Sequence, residues 1–346
     1  MRSVEAVDLF CGVGGLSYGL KQAKINVLAG VDLDPNSKYP FERNINAEFI
    51  QKSVTELKGE DIRKFYSPDS LKLLAGCAPC QPFSTYSQGP RGKDDDQWKL
   101  LLEFGRLVEE VRPDLVTMEN VPALHTHEVF KNFTDNLRGL GYFIHHKVVD
   151  CQQYGLAQTR KRLVLVGSRF GDIDLIPPTG KVKTVRQVLK DVPPQSAGEV
   201  DINDPFHRSA KLSELNFERI KVSKPGGTWK DWPKELIANC HKKDSGRSYP
   251  AVYGRMEWDK PAPTMTTQYF GYGNGRFGHP EQDRALSLRE GAILQGFPAR
   301  YKFVPPDGEI YFKKVGRLVG NAVPPPLGKL IGKSFLKHLD HLQMLN

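Results

Sequence analysis

The 346-residue sequence lacks any run of apolar residues that approaches the roughly 20 needed for a membrane helix. Its N-terminus carries the acidic residues Glu5 and Asp8 with no long apolar stretch after them, which excludes a secretory signal. The five cysteines are an odd number without the spacing of a disulfide framework, which favours a reducing cytoplasm. Internal repeats and low-complexity tracts are also absent. These absences favour an ordinary cytoplasmic protein over a membrane, secreted or repeat protein.

The composition is that of a soluble protein with a basic excess. Hydrophobic residues make up 39% and charged residues 26% of the chain, which is long enough for one large domain or for a large and a small one. The formal net charge of +9 indicates a polyanionic partner without requiring one. Residues 181–260 hold 16 Lys and Arg against 11 Asp and Glu, a net charge of +5, so over half of the excess lies in this segment.

The first 170 residues alternate apolar segments with amphipathic ones, which is typical of a parallel sheet covered by helices on both faces. The predicted strands are Val4–Leu9, Val27–Asp32, Leu71–Cys77, Leu115–Glu119, Tyr142–Val149 and Leu163–Gly167. The predicted helices are Leu16–Lys24, Thr55–Phe65, Trp98–Val111 and Val129–Leu140. The pattern therefore predicts the α/β class.

This alternation stops after about Arg169. The segment that follows has no clear period, is punctuated by proline and glycine pairs and is rich in Trp, Tyr and Lys. Regular structure is predicted again over Leu288–Leu294 and from about Leu327 to Leu342. We therefore expect three consecutive parts, which are a first catalytic part over residues 1–180, a separate domain over 181–280, and a return to the catalytic domain over 281–346.

A glycine-rich turn follows the first predicted strand, in the run Phe10-Cys11-Gly12-Val13-Gly14-Gly15-Leu16. Glycines let the backbone turn sharply near a ligand, and free N–H groups at a helix start can face it. The second strand ends at Asp32, a carboxylate placed to hold ribose hydroxyls. The third glycine of a dinucleotide fingerprint would fall at position 17, which is Ser, and no Walker motif follows. A nucleoside ligand without a pyrophosphate, such as S-adenosylmethionine, fits best, and a purely structural turn is the alternative.

Cys80 follows the predicted strand Leu71–Cys77, in the run Cys77-Ala78-Pro79-Cys80-Gln81-Pro82-Phe83-Ser84. A Cys-x-x-Cys pair can be a redox motif or half of a zinc site, but the residues around it fit neither a short redox domain nor a second pair of ligands. An inert buried cysteine is the other alternative. Cys80 instead lies at a strand end where such sheets bind ligands, and Glu119 ends the next strand. A thiolate beside a carboxylic acid suits attack on an electron-poor ring.

Seven motifs, in order, resemble those of the DNA (cytosine-5) methyltransferases of bacterial and phage type. They are Asp8-Leu9-Phe10-Cys11-Gly12-Val13-Gly14-Gly15, Asp32, Pro79-Cys80-Gln81-Pro82-Phe83-Ser84, Glu119-Asn120-Val121, Gln158-Thr159-Arg160-Lys161-Arg162, Arg284-Ala285-Leu286-Ser287 through Leu294-Gln295-Gly296-Phe297-Pro298, and Gly320-Asn321-Ala322-Val323-Pro324. The resemblance implies a Rossmann-like, mostly parallel sheet with helices on both faces and a small irregular DNA-recognition domain. It also implies methyl transfer from S-adenosylmethionine to C5 of cytosine in a specific double-stranded DNA sequence.

The resemblance implies roles for individual residues. Cys80 would add to C6 of a cytosine that is flipped out of the duplex, and Glu119 would contact N3 and the exocyclic amine. Arg160 and Arg162 would lie over the base and its phosphates. The implied cofactor-binding residues are Phe10, Gly12, Gly14, Gly15, Asp32, Leu33, Ser53, Pro79, Asn321 and Val323. The predicted DNA-binding residues are Gln81, Ser84 and Arg91, together with Arg247 and Arg255, which are candidates from composition alone, and no metal is expected.

The chain departs from the family pattern at three positions. Ser53 stands where the family often has an Asp that contacts the adenine amino group. Gln97 replaces the Arg that commonly ends the loop over residues 84–97, a loop that would close on DNA or be a solvated surface segment. Cys77 stands where a small residue such as Gly is usual, and we expect this change to affect only packing.

Residues 181–280 correspond in position to the family's variable segment, in which Arg and Lys hold phosphates and a few side chains read base edges. Tyr249 and Gln268 join Arg247 and Arg255 as candidates, with a solvated face as the other interpretation of most lysines here. A tRNA cytosine-5 methyltransferase and a catalytically silent DNA-binding relative are the alternative functions. We expect a cytoplasmic monomer that acts separately from any cognate endonuclease of a restriction–modification system.

Overall fold

The computed structural model describes residues 3–79, 96–178 and 180–344, without the side chains of residues 96–98, 245 and 247. The chain forms two compact units. The first contains Met1–Tyr154, Lys161–Thr179 and Ala322–Asn346, and the second contains Gly155–Arg160 and Gly180–Asn321. The second unit therefore extends beyond the segment over residues 181–280 that was expected from the sequence. No helix in the described part of the chain is long and apolar enough to span a membrane.

A seven-stranded sheet forms the centre of the first unit. Its strands are β1 (Val4–Leu9), β2 (Asn26–Asp32), β3 (Glu48–Gln51), β4 (Leu71–Gly76), β5 (Leu115–Asn120), β6 (Phe143–Asp150) and β7 (Lys161–Ser168). Their order in the sheet is β3-β2-β1-β4-β5-β7-β6. The first five run parallel, and β7 is antiparallel to both β5 and β6. The predicted mostly parallel α/β sheet is confirmed, and its switch point for ligand binding lies at the carboxyl ends of β1 and β4.

The central strands form because their sequences are apolar on both faces. All six residues of β1 and all six of β5 are buried. Burial on both faces is expected of a parallel sheet that helices cover from either side. The helices between these strands are α1 (Gly15–Gln22), α2 (Lys38–Ile45), α3 (Gly59–Arg63), α4 (Asp96–Val111) and α5 (Glu128–Gly139). The core that they enclose includes Phe104, Phe133 and Met118.

Three elements of the first unit differ from the sequence prediction. The helix predicted over Thr55–Phe65 is a 3-10 turn at Val54–Glu56 followed by the short α3. The sequence pattern did not predict β3 or α2. β3 has only four residues, with two of them exposed, so it carries too little alternation to be recognised as a strand. α2 has Pro40 within its first turn, a position that helices tolerate but that weakens the helical pattern.

The second unit has few regular elements. They are α6 (Val185–Leu189), α7 (Glu214–Val222), α8 (Asn239–Lys242), α9 (Asp244–Arg247), α10 (Leu288–Leu294) and α11 (Phe312–Asn321). Its strand-like contacts within the described residues are isolated bridges, such as Arg255 with Gly278. One of its apolar clusters contains Ile220, Trp229, Trp232 and Tyr272. The irregularity expected between the two regular parts of the sequence is therefore present.

The last helix, α12 (Pro325–His341), belongs to the first unit and packs against α1. The two helices approach closely because Gly19 and Gly328 face each other, where a side chain on either glycine would meet the other helix's backbone. A buried hydrogen-bonded contact of 2.8 Å between Ser168 Oγ and His338 Nε2 also ties α12 to β7. The C-terminal helix thus closes one face of the sheet next to the glycine-rich turn.

Candidate active site

The turn between β1 and α1 has an unusual backbone. Gly12 and Gly14 have φ angles of 49° and 85°, in the left-handed region that glycine tolerates. Phe10, which is not a glycine, also has a positive φ of 57°. A bulky residue in this region costs on the order of 1–3 kcal/mol and persists only where the surroundings impose it. Such strain at the carboxyl end of β1 is consistent with a ligand site.

Asp32 fastens the end of β2 to this turn. Its Oδ2 accepts a hydrogen bond from the backbone N–H of Gly12 at 2.8 Å, and its Oδ1 accepts one from Asp34 at 2.9 Å. Burial raises the pKa of this carboxyl. The next residue, Leu33, is 67% exposed although it is a large apolar side chain at the switch point. An apolar surface beside a fixed carboxylate suits one face of a nucleoside base and its ribose.

Asp8 lies beneath the turn and is 1% exposed. Ser17 Oγ donates a 2.6 Å hydrogen bond to its Oδ2, whereas Oδ1 has no hydrogen-bond partner among the described residues. Burial raises the pKa of Asp8 to about 7. Ser17 occupies the place where a dinucleotide fingerprint has its third glycine, so the structure gives a reason for the serine. Neither the role of Asp8 nor that of Ser17 was predicted from the sequence.

The other predicted cofactor residues are less informative. Ser53 Oγ accepts a hydrogen bond from the backbone N–H of Thr55 at 3.3 Å and caps a 3-10 turn. Pro79 is exposed, and Val323 is mostly buried in the first unit. Asn321 is the exposed last residue of α11 in the second unit. Their contacts with a cofactor stay predictions.

Glu119 lies on β5 and is 3% exposed. Its Oε1 forms an ion pair with Arg162 Nε at 2.9 Å, so the structure brings two of the predicted catalytic residues together. Its Oε2 accepts a hydrogen bond from the thiol of Cys77 at 2.8 Å. Cys77 was expected to affect only packing, but its sulfur contacts the carboxylate directly. Oε1 thus has an ion-pair neighbour but no hydrogen bond within the described residues, whereas Oε2 accepts a hydrogen bond from the thiol.

The segment that leads to the predicted nucleophile is tied to the same strand. Asn120 Nδ2 donates a buried hydrogen bond to the carbonyl oxygen of Ala78 at 3.0 Å. This bond joins the end of β5 to the start of the loop two residues before position 80. No separate role for Asn120 was predicted from the sequence, although Asn120 directly follows Glu119. Cys80, Gln81, Ser84 and Arg91 lie outside the described residues, so their predicted roles stay predictions.

Arg160 belongs to the second unit and is buried. Its Nη1 donates to the carbonyl oxygen of Met265 at 3.1 Å, and its Nη2 donates to that of Gly320 at 3.3 Å. The sequence had suggested that this guanidinium lies over the base and its phosphates. In this structure it joins two backbone segments, and its contact with DNA stays a prediction.

Arg255 was expected to bind DNA but is also buried. Its guanidinium donates to the carbonyl oxygens of Ile220, Ser223, His279 and Gln282 and pairs with Asp283. Because its donors are used internally, Arg255 has a structural role, and this geometry does not support the DNA contact expected for it. A single arginine in an irregular segment carries no sequence signal for such burial.

The remaining DNA-reading candidates lie in the second unit. Tyr249 and Gln268 are exposed, and the side chain of Arg247 lies outside the description. Exposure permits a contact with DNA without demonstrating one. Within the residues that the structure describes, no group of three or more His, Cys, Asp or Glu side chains could hold a metal ion.

The fold and the site define an α/β protein with a strained nucleoside-type turn at the switch point of its sheet and a buried, oriented carboxylate on β5. Residues 4–337 match the model of the C-5 cytosine-specific DNA methylases, so the chain belongs to this family and is a DNA cytosine-5 methyltransferase. The family membership and the DNA-directed activity predicted from the sequence are thus confirmed.

Individual relatives agree with the family match. The Type II methylase M.HgiDII of Herpetosiphon aurantiacus is 51% identical over 97% of this chain and 96% of its own. The Type II methyltransferase M1.HphI of Haemophilus parahaemolyticus is 30% identical over 97% of this chain and 87% of its own. A solved prophage-encoded chain of Escherichia coli, described as a DNA modification methyltransferase, has a TM-score of 0.76 at 22% identity and covers 98% of this chain and 100% of its own. At that identity the last likeness shows the fold alone.

Proposed function

We propose that this enzyme transfers a methyl group from S-adenosylmethionine to C5 of a flipped-out cytosine in a specific double-stranded DNA sequence. The observation that carries the proposal is the buried Glu119 carboxylate, which forms an ion pair with Arg162. Glu119 lies on β5, next to β4, the strand that leads to Cys80. A carboxylate oriented in this way suits recognition of a ring nitrogen and an adjacent amino group.

The described residues around the turn fit S-adenosylmethionine. Bound there, this cofactor would supply an electrophilic methyl group. Asp32 would hold the ribose hydroxyls, and the exposed Leu33 would cover one face of the adenine. The unpartnered Oδ1 of Asp8 would offer an acceptor to the cationic end of the ligand. The remaining proposed contacts are Phe10, Gly12, Gly14, Gly15, Ser53, Pro79, Asn321 and Val323.

In the proposed chemistry, the Cys80 thiolate forms a bond to C6 of the cytosine, and the electrons of the C5–C6 double bond make C5 nucleophilic. Glu119 contacts N3 and the exocyclic amine and favours the protonated ring as the adduct forms. After C5 has received the methyl group, a water molecule takes up the C5 proton, the electrons of that C–H bond restore the C5–C6 double bond, and Cys80 leaves C6 as a thiolate. Arg162 keeps the Glu119 carboxylate in orientation, and Arg160 braces the second unit.

DNA contacts are proposed for both units. Gln81, Ser84 and Arg91 would meet the target strand near Cys80. The basic segment over residues 181–260 would hold phosphates, with Arg247, Tyr249 and Gln268 as candidate readers of base edges. Because the relatives M.HgiDII and M1.HphI are named Type II enzymes, we place this enzyme in a Type II restriction–modification system. We expect a monomer of the bacterial cytoplasm, acting separately from the cognate endonuclease.

The test incubates the purified enzyme with DNA duplexes and methyl-labelled S-adenosylmethionine, then maps the label at base resolution. We expect label on C5 of one cytosine within a fixed sequence. Label on tRNA and not on DNA, or binding to DNA without any transfer, would overturn the proposal. Cys80→Ser should lower the rate by roughly three orders of magnitude or more, as removal of a nucleophile does in other enzymes.

A second measurement tests the covalent step. DNA with 5-fluorocytosine at the target position should trap the enzyme, because fluorine cannot leave C5 as the proton does. The Cys80→Ser variant is the control and should give no trapped complex. Recovery of only free wild-type enzyme from this DNA would contradict the proposed adduct.

A further inference from the structure

Cys77 is held rigidly beside the Glu119 carboxylate. It directly follows β4, and its backbone N–H donates a 3.2 Å hydrogen bond to the carbonyl oxygen of Leu9 at the end of β1. Its side chain is partly buried, and the thiol donates to Glu119 Oε2 at 2.8 Å. The sulfur is therefore placed by the sheet itself and not by a loop.

The thiol restricts the orientation of the carboxylate. Arg162 Nε lies 2.9 Å from Oε1 as an ion-pair partner, but Oε1 has no hydrogen bond within the described residues, whereas the thiol donates a 2.8 Å hydrogen bond to Oε2. A carboxylate held by an ion pair at one oxygen can still rotate about its last side-chain bond, for which the torsional preference is broad. The directional hydrogen bond at Oε2 restricts that rotation. A thiol is a weak donor, but a buried carboxylate depends on every donor it has.

We infer that Cys77 is a positioning residue of the methyl-transfer reaction, acting by holding Glu119 Oε2 in the orientation that meets the target cytosine. The inference rests on the role proposed for Glu119. It differs from a packing role in that the hydroxyl of serine, a donor of similar size, can replace the thiol. Alanine, which has no donor, cannot.

The test compares Cys77→Ser with Cys77→Ala in single-turnover methyl transfer to the duplex identified above, using labelled S-adenosylmethionine and excess enzyme. Cys77→Ala removes a hydrogen bond to a charged group, and the effect of that loss is moderate because a thiol is a weak donor. We therefore expect a rate constant roughly tenfold lower for Cys77→Ala. The dissociation constant for DNA should stay within about twofold. Cys77→Ser should stay within about threefold of wild type in both quantities. Cys151→Ala, at a buried cysteine elsewhere in the first unit, is the matched control and should leave the rate constant unchanged.

Two results would overturn the inference. One is a Cys77→Ala enzyme that transfers methyl groups as fast as wild type. The other is a Cys77→Ser enzyme as slow as Cys77→Ala. That result would show that the site needs the sulfur atom or its volume, and not a hydrogen-bond donor. If Cys77→Ala does not fold, Cys77→Gly takes its place, and water can then enter and partly replace the donor. A rate between those of wild type and the tenfold loss supports the inference, and an unchanged rate contradicts it.

A double-mutant comparison shows whether Cys77 acts through Glu119. In an enzyme that already carries Glu119→Gln, Cys77→Ala should cause no further loss, because the two residues act as one unit. Additive losses would contradict the inference. If Glu119→Gln is itself as fast as wild type, the proposed function fails. If Glu119→Gln is slow while Cys77→Ala is normal, only the role of Cys77 fails.

Discussion

Two buried carboxylates, one in each unit, have opposite surroundings. In the second unit, Arg284 and Glu290 are 0% and 1% exposed and form two hydrogen bonds of 2.7 Å each. Burial alone would raise the pKa of Glu290, but Arg284 lowers it to about 2. In the first unit, Asp8 is equally buried but has one unpartnered oxygen and a pKa raised to about 7.

This difference distinguishes buried charged groups that stabilise the structure from those that are placed for function. The second unit has few regular elements, so buried arginines bonded to carbonyl oxygens and carboxylates join its segments, as Arg255 and Arg289 do. The first unit is joined by a seven-stranded sheet and does not need charges for that purpose. Its strained turn, exposed Leu33 and partly satisfied Asp8 cluster where a ligand site is expected. Backbone strain, an exposed apolar side chain and an unpartnered carboxylate oxygen within a regular unit are thus better indicators of function than fully paired buried charges.

The largest effect should come from Glu119→Gln, which removes charge from the functional site of the first unit. Loss of a residue that assists proton transfer predicts a methyl-transfer rate roughly 100- to 10,000-fold lower in single-turnover assays. Glu110→Gln is the control, because Glu110 is a surface carboxylate paired with Arg106 at 2.6 Å. It should leave the rate unchanged. Equal rates for the two variants would remove the distinction between functional and structural charge.

Glu290→Gln should destabilise the second unit more than any change to a surface pair. Breaking a buried, hydrogen-bonded ion pair predicts a loss of about 3–5 kcal/mol in the free energy of unfolding. Asp259→Asn, which breaks the exposed pair with Arg186, should cost no more than about 1 kcal/mol. Tryptophan fluorescence during urea unfolding measures both, since three of the four tryptophans, Trp229, Trp232 and Trp258, lie in this unit. Similar losses for the two variants would show that burial does not set the strength of the pair.

Asp8→Asn should change how the stability of the first unit depends on pH. Because folding raises the pKa of Asp8 from its ordinary value of 3.8 to about 7, its contribution is present at low pH and is lost as the pH rises through about 7. The free energy of unfolding of wild type relative to Asp8→Asn should therefore fall by about 2–3 kcal/mol between pH 5 and pH 8. Circular dichroism of urea unfolding without cofactor measures this. Parallel curves for the two proteins would contradict the burial of an ionisable Asp8.

Leu33→Ala should have the smallest effect, limited to the cofactor. Loss of apolar area that the ligand would cover predicts a dissociation constant for S-adenosylmethionine roughly tenfold higher by calorimetry. The melting temperature without cofactor should not change, because the side chain is 67% exposed. Leu215→Ala, at an exposed leucine on α7 of the second unit, should alter neither quantity. Unchanged cofactor affinity in Leu33→Ala would show that the exposed leucine has no binding role.

Much of the fold could be predicted from sequence because the central strands are long apolar runs. β1 was predicted with its observed bounds, and β4 and β5 were each placed within one residue at their ends. β3 and α2 were missed because four residues and a helix with an early proline carry weak patterns. In the site, Glu119 and Arg162 were predicted and found in contact. The internal bonds of Arg160 and Arg255 were not predicted. The local sequence does not distinguish an arginine that bonds to carbonyl oxygens from one that binds phosphate.

The sequence by itself determined the chemistry of this protein. Residue types in a fixed order, from the glycine-rich turn through Cys80 and Glu119 to Arg162, were enough to indicate a cytosine-5 methyltransferase, because each step of the reaction demands a particular side chain. Only the tertiary structure decided which of the charged groups are free to act. Burial and partners depend on segments far apart in the chain, such as Cys77 with Glu119 and Arg160 with Gly320. No local pattern encodes that proximity, and the sheet and the irregular unit create it only on folding.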